Sequence, residues 1–327
     1  MTSLTLLFAD LLSAQNQAIE LGKVHWIRSI QTAQRHAKSS GKPILILFQE
    51  VPGCLTCQNY GSEVLSHPLM VEAIESYFVP LAIFNNKGGS DREVLEIFKE
   101  PSWNNPVVRI VSHDLTEWTN RLSSNYSSLG LIEKINTTIL KTKGKIPEWL
   151  QLLEEEFKSQ NREIDKVYIG MPCFWSGEKH YGALVGVMAT RAGFMAGAEV
   201  VEVQFDPSKI SLEKLIENGQ AFGQANKIFL PTNQKIFMNS IIVKPISEFK
   251  ADTESKYYIY NSLYRFLPMT RLQSSRTNSL LGNLQCPDQI LSPRQIHLLE
   301  KIKQNPSKYK HHCIEQDIQE AWRNLIP

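Results

Sequence analysis

The chain has 327 residues, 42% of them apolar and 21% charged, with a formal net charge of +2. That length holds two or three compact domains. The near-neutral balance excludes a binder of nucleic acid or anionic membrane driven by charge, and no apolar run approaches the ~20 residues of a membrane span. Five cysteines, an odd number without disulfide-scaffold spacing, point to chemistry rather than cross-linking.

The opening stretch MTSLTLLFADLLSAQNQ lacks a positive leader region, and Asp10 interrupts its apolar patch. It reads as a docking helix, which puts the chain in the cytoplasm; a weak export signal is the alternative. Trp26, Ile30, Ala33 and Ala37 then recur at helical spacing until Gly41 and Pro43 stop the helix. The run ILILF reads as a buried strand. Val64, Leu65, Leu69, Val71, Ile74 and Phe78 predict a helix broken near Pro68. FVPLAIF (78–84) is a second strand, DREVLEIFKE (91–100) a helix, PVVRIV (106–111) a third strand, and a helix near 127–141 closes the unit. This alternation implies an α/β domain with parallel pairing.

Residues 141–166 are charged and polar and read as a connector with one amphipathic helix from Glu148 to Phe157. A second α/β pattern follows, with KVYIG, VVEVQFDP and NSIIVK as strands and helices after Cys173 and at SLEKLIENGQ. Beyond residue 262, Pro268, Pro287, Pro293 and Pro306 punctuate a tail of short helices, in which Arg265, Arg271 and Arg276 read as surface charges, with lining of a pocket as the alternative. The expected domains are 1–21 (extension), 22–143, 144–165 (linker), 166–262 and 263–327 (tail).

Cys54 and Cys57 stand where the first strand hands over to a helix, in EVPGCLTCQN. There, unpaired amides and the helix dipole stabilise a thiolate at Cys54, and Cys57, one turn on, can resolve a mixed disulfide. The alternatives are half of a zinc site, with ligands from His311, His312 and Cys313, and a purely structural pair; a lone CxxC does not close a tetrahedral site. The run AQRHAKSSGKPILILFQEVPGCLTCQNYGSEVLSHPLMVEAIESYFVPLAIF resembles the thioredoxin-like superfamily, over about residues 22–140. That resemblance implies a cis-proline facing the redox pair at Pro106. VPGC departs from the commoner aromatic-GPC pattern.

Cys173, in MPCFWSGEKHYG, again follows a strand and precedes a helix. Phe174 and Trp175 beside it would wall an apolar slot for an S-methyl group, with Glu178 and Glu199 as nearby carboxyls. A thiolate that attacks a sulfoxide sulfur and an acid that protonates the departing oxygen suit sulfoxide reduction. An inert core cysteine and ordinary aromatic packing are the alternatives. MPCFWSGE, GVMATRAGFMAG and AEVVEVQFDPSKISLEKL resemble the A class of peptide methionine sulfoxide reductases, over about residues 166–260. The resemblance implies a nucleophile at Cys173, substrate contacts at Phe174, Trp175 and Glu178, and a general acid at Glu199. It departs in three ways. The family's substrate loop is absent between Gly197 and Glu199, Thr232 and Phe237 replace an acid and a tyrosine, and Pro172 replaces a glycine. Each lost donor at a developing charge commonly costs ~10²–10³ in rate. Tyr168, Tyr181 and Tyr257 are candidate replacements.

Taken together, the resemblances imply a mixed α/β and α+β chain. A thioredoxin-like domain precedes a ferredoxin-like α/β domain of the sulfoxide reductase A type. Cys173 sulfenic acid would need a resolving thiol, with Cys286 and Cys313 as candidates. Cys54 and Cys57 would reduce the product, tethering raising the effective concentration to roughly millimolar. The partners would be a methionine-sulfoxide-bearing peptide or protein, or a disulfide partner, and an external thiol reductant, with no cofactor and no metal. Two other readings stay open: a disulfide reductase whose second domain is a specificity module, and a protein that binds sulfoxide-bearing or methionine-rich chains without turnover.

Overall fold

The computed structural model describes residues 17–223, 225–231 and 241–325. The expected helix of the first sixteen residues, and Thr232 and Phe237, lie outside them. The fold is mixed α/β, and the chain divides between Glu154 and Glu155 into two compact units. Among the described residues no helix is long and apolar enough to cross a membrane.

In the first unit, α1 (Ile30–Ser40) starts where the Ser29 hydroxyl accepts the Thr32 amide and ends at Gly41, whose φ of +69° suits a residue without Cβ. Every residue of β1 (Ile44–Gln49) is buried, which marks a central strand covered on both faces. Next come α2 (Leu55–Asn59), a π-turn over Tyr60–Val64, α3 (Pro68–Tyr77), β2 (Val79–Phe84), α4 (Ser90–Phe98), β3 (Val107–Val111) and α5 (Ser128–Lys143). The break falls before Pro68, which opens α3 as its first residue.

Sheet order is β2-β1-β3. The expectation of parallel pairing holds for β1 with β2, but β3 runs antiparallel to β1. β3 also makes local antiparallel bridges from Val111 to Glu117 and Val108 to Leu122. The chain therefore doubles back immediately after β3 without a helical crossover, and periodicity alone does not encode that reversal.

The helix predicted in the connector is α6 (Glu148–Gln160). Rather than standing free, its first turns are bedded in the first unit. Trp149 lies 6.4 Å from Tyr77, and the Leu150 carbonyl accepts from Asn136.

The second unit contains β4 (Asp165–Gly170), α7 (Phe174–Gly182), β5 (Val187–Met195), β6 (Ala198–Phe205), α8 (Leu212–Ala221), β7 (Lys227–Leu230), β8 (Ile242–Pro245) and β9 (Phe249–Ala251). These strands form one sheet in the order β8-β7-β4-β6-β5-β9. Val167, Ile169, Val201, Val203 and Phe205 pack with Tyr181 of α7 and with Leu215 and Ile216 of α8. β5 and β6 join through Ala196 and Gly197, both at positive φ, the two-residue connection that the strand twist favours.

The last segments are α9 (Tyr257–Tyr260), α10 (Arg271–Gly282), α11 (Pro293–Gln304) and α12 (Ile318–Asn324). The expected tail is instead an integral part of the second unit. Arg276 is largely buried and donates to the Gly182 and Val187 carbonyls, so it is not a surface charge. α10 approaches α7 so closely that a Cβ on Gly182 would stand 2.7 Å from the Ser275 carbonyl oxygen. No apolar stripe announced this contact, because α10 buries Ser274, Ser275, Thr277, Asn278 and Ser279.

Glu156 lies near the start of α10, with its Oε2 shut off from solvent and without a hydrogen-bond partner among the described residues. Desolvation pushes its pKa up to about 7. The folded state therefore holds the proton that the unfolded chain releases near pH 4.3. That stabilisation is complete below this pH and is lost as pH rises through 7. Denaturant melts should show stability falling by on the order of 3 kcal/mol between pH 4.5 and 7.5 from this group. The Glu156→Gln variant should flatten the profile over that window.

Candidate functional site

The end of β1 leads into Val51–Cys54, a loop clamped from several sides. The Gly53 amide donates to Glu20 Oε1 (2.7 Å), the Val51 amide to Asn86 Oδ1 (3.2 Å), and Asn86 Nδ2 to the Pro52 carbonyl (3.2 Å). Gln49 ties the strand end to the Glu20 and Cys57 carbonyls. Gly53 is required by crowding, since a Cβ there would meet the Glu50 carbonyl oxygen at 2.3 Å and the Cys57 Cβ at 2.7 Å.

This clamp sets Cys54 exposed at the N-cap of α2 and Cys57 buried, with their Sγ atoms 3.6 Å apart. Cys54 lies below the ordinary thiol range, chiefly because the Cys57 amide donates to its sulfur. Burial pushes Cys57 up to about 12. Its S–H donates to Asn105 Oδ1 at 2.6 Å. The Asn105–Pro106 peptide is cis, so the segment carrying Pro106 faces the pair through Asn105. One thiol is thus poised to attack, and the other is held as a proton carrier. Glu50, which the motif reading passed over, brings a carboxylate oxygen within 4.8 Å of both sulfurs.

In the second unit, Cys173 is the N-cap of α7 and half-buried, with the Ser176 hydroxyl 3.5 Å from its sulfur. Glu199, at the start of β6, accepts the Phe174 amide through Oε2 at 3.0 Å, while its carbonyl accepts the Met171 amide. Cys173 and Glu199 therefore flank the same helix start, where backbone amides favour negative charge.

Three expectations need correction. Phe174 is a core residue packed against Phe194 at 5.2 Å, and its centroid lies 5.5 Å from that of Trp175, too close for a methyl group between the rings. One face of Trp175 is stacked on Tyr257 at 4.1 Å, and its indole N–H donates to Asp252. Glu178 is fully buried, and its carboxylate is taken up by Lys256. Its Oε1 pairs with Lys256 Nζ and its Oε2 accepts the Lys256 amide, both at 2.7 Å. A buried carboxylate without such a partner would cost several kcal/mol.

Of the proposed oxygen-binding replacements, Tyr168 lies beside Glu202, Tyr181 is sealed in the core and Tyr257 covers Trp175. Among the tyrosines, Tyr258 is the one whose pKa is raised by burial and by the charge of Cys173. Only its neighbour in YY was considered from the sequence, where nothing distinguishes the two. The thiol candidates differ sharply. Cys286 is exposed, whereas Cys313 is buried, lies 3.4 Å from the Phe266 carbonyl oxygen and is pushed up to about 12 by burial.

In peptide mapping of the reduced protein after brief iodoacetamide treatment, Cys54 should be alkylated at pH values below those an ordinary thiol needs. It should react at least ~10-fold faster than Cys57 at pH 7, since only the thiolate reacts. Cys57 should resist until the solution is strongly alkaline.

Residues 25–112 match a family model described as thioredoxin-like. A peptide methionine sulfoxide reductase MsrA of Corynebacterium glutamicum is 34% identical over 87 residues, covering 19% of this chain and 40% of that protein. The MsrA of Lachnoclostridium phytofermentans is 36% identical over 67 residues, covering 15% and 40%. The chain thus spans about 40% of the length of these curated relatives. Among solved structures, a thioredoxin from Thermus thermophilus is similar at 18% identity and a TM-score of 0.32, covering 37% of this chain and 91% of that one. The first unit therefore carries a thioredoxin-like segment, and the chain's similarities are to oxidoreductases.

Proposed function

We propose that the protein is a thiol oxidoreductase with two sulfur centres, a dithiol at Cys54 and Cys57 and a sulfoxide-reducing thiol at Cys173. The observation that carries the dithiol is the unequal pair, an exposed sulfur with a lowered pKa 3.6 Å from a buried, protonated partner. Cys54 attacks a substrate disulfide, giving a mixed disulfide and one leaving thiolate. Cys57 then loses its proton and displaces the second thiol, closing its own disulfide. The Cys54–Cys57 dithiol is then restored by an external thiol.

At the second centre, the pairing of Cys173 with Glu199 at one helix start supports methionine sulfoxide as substrate. The Cys173 thiolate attacks sulfur, the sulfoxide oxygen takes a proton from Glu199, and the products are Cys173 sulfenic acid and the thioether. Tyr258, whose pKa is raised by burial and by Cys173, is the candidate hydroxyl donor to that oxygen. Exposed Cys286 is the better resolving thiol: its S–H condenses with the sulfenic acid, releasing water and forming a disulfide. The cytoplasm suits this chemistry, because reduced thiols are maintained there. Sulfoxide repair under oxidative stress is the corresponding physiological role.

A second reading, in which the Cys173 unit binds partners without turnover, is favoured by the Glu178–Lys256 lock and by the covered faces of Phe174 and Trp175. The two separate in one assay, reduction of a methionine-S-sulfoxide peptide with dithiothreitol. Cys173→Ser should abolish turnover, and Glu199→Gln should lower kcat by about 10²-fold. Turnover surviving in Cys173→Ser would overturn the sulfoxide assignment, and peptide binding without any wild-type turnover would establish the module reading. Insulin reduction, lost in Cys54→Ser, tests the dithiol independently.

A further inference from the structure

A lone CxxC lacks the donors for a metal, yet in the folded chain Glu50 supplies a third. One carboxylate oxygen of Glu50 and the sulfurs of Cys54 and Cys57 all lie within 4.8 Å of one another. The two sulfurs are 3.6 Å apart. Two thiolates on one tetrahedral zinc, each bonded at about 2.3 Å, stand roughly 3.8 Å apart, and a carboxylate oxygen bonded at about 2.0 Å stands roughly 3.5 Å from each. The sulfurs therefore need almost no movement, and Glu50 needs only side-chain rotation.

We infer that Glu50, Cys54 and Cys57 form a three-donor site for a thiophilic divalent cation of the zinc type, which masks the dithiol when bound. The donor set selects the ligand. Thiolates are poor partners for magnesium or calcium, which take oxygen shells, whereas two sulfurs and a carboxylate suit zinc. Three protein donors leave the fourth position to water, as in open rather than closed zinc sites. The donors also have an entry path, since Cys54 is exposed and Glu50 half-buried while Cys57 forms the floor. The clamp that spaces the thiols likewise spaces the metal donors, because the Gly53 amide on Glu20 and the Gln49 amide on the Cys57 carbonyl hold both ends of the loop.

The binding step is redox-neutral. Each thiol still carrying its proton releases it to the buffer, two sulfur–metal bonds and one oxygen–metal bond form, and no electrons move. Cys54 can then neither attack a disulfide nor be oxidised until the cation leaves. The inference shares the thiol pair with the proposed disulfide exchange and owes nothing to the sulfoxide reading.

The test uses the full chain, reduced, in a Cys173→Ser, Cys286→Ser background, titrated with Zn²⁺ against a chromogenic chelator. Co²⁺ serves as a spectroscopic probe of thiolate ligation. One equivalent should bind, with sulfur-to-cobalt charge-transfer absorption. Affinity should fall at least ~100-fold in Cys54→Ser and about 10-fold in Glu50→Gln. Glu50→Asp, which keeps a carboxylate, should fall between wild type and Glu50→Gln. Cys54→Ser abolishes disulfide exchange whether or not a metal binds, so Glu50→Gln is the discriminating variant. Affinity unchanged in Glu50→Gln, or one equivalent retained in Cys54→Ser, overturns the site. Metal affinity about 10-fold weaker in a Glu50→Gln protein with native circular dichroism supports it, and Zn²⁺ should then inhibit disulfide exchange less in that variant than in wild type.

Discussion

Both sulfur centres depend on one constraint, the handover from a buried strand to a helix through a loop that cannot relax. At the end of β1 the turn is pinned by Glu20, Asn86 and the crowded Gly53, and Cys54 occupies the helix N-cap. At the end of β4 it is pinned by the Met171 amide on the Glu199 carbonyl, and Cys173 occupies the N-cap. A strand fixed by its ladder and a helix fixed by packing leave the residue between them little freedom. A sulfur at that point is positioned by the backbone around it, and at Cys54 the Cys57 amide stabilises the thiolate. Preorganisation of this kind lets a reactive group lie at the surface without wandering.

The two centres differ in what surrounds the sulfur. At the first, a second thiol is held protonated by burial and by Asn105, so one site contains both nucleophile and resolver. At the second, the neighbours are a carboxylate and hydroxyls, Glu199, Ser176 and Tyr258, and the thiols of Cys286 and Cys313 are far from it in sequence. Under the proposed function, this contrast separates an exchange reaction complete within one site from a reduction that must recruit a thiol from elsewhere.

The Glu178–Lys256 pair organises the second unit. Lys256 Nζ also reaches the Thr190 carbonyl, so one buried cation joins α7, β5 and the turn into α9. That turn delivers Tyr257 onto Trp175 and Tyr258 toward Cys173. A carboxylate that the motif implies for substrate has become a structural tie. Removing either partner would leave a buried charge uncompensated at a cost of about 3–5 kcal/mol. The two-residue Ala196–Gly197 connection stands where the resembling family keeps a substrate loop.

The sequence by itself determined most of the elements and the cysteine that stands at a helix start in each unit. Solid apolar runs, helix-ending Gly41 and Pro43, and a cysteine after each strand are local signals, and each acts within a few residues. Tertiary structure decided the rest. β3 runs antiparallel to β1, and residues 117 and 122 bridge back onto it. The polar face of α10 meets partners distant in sequence: the Ser275 hydroxyl accepts the Thr190 amide of β5, and Asn278 Oδ1 accepts the Tyr258 and Ile259 amides of α9. Glu178 binds Lys256, Tyr258 reaches Cys173, and Glu50 meets two sulfurs, although no spacing rule links those positions. Charge pairing and close approach operate between residues that only the folded chain brings within bonding distance, so a linear pattern names the reacting atoms but not their neighbours.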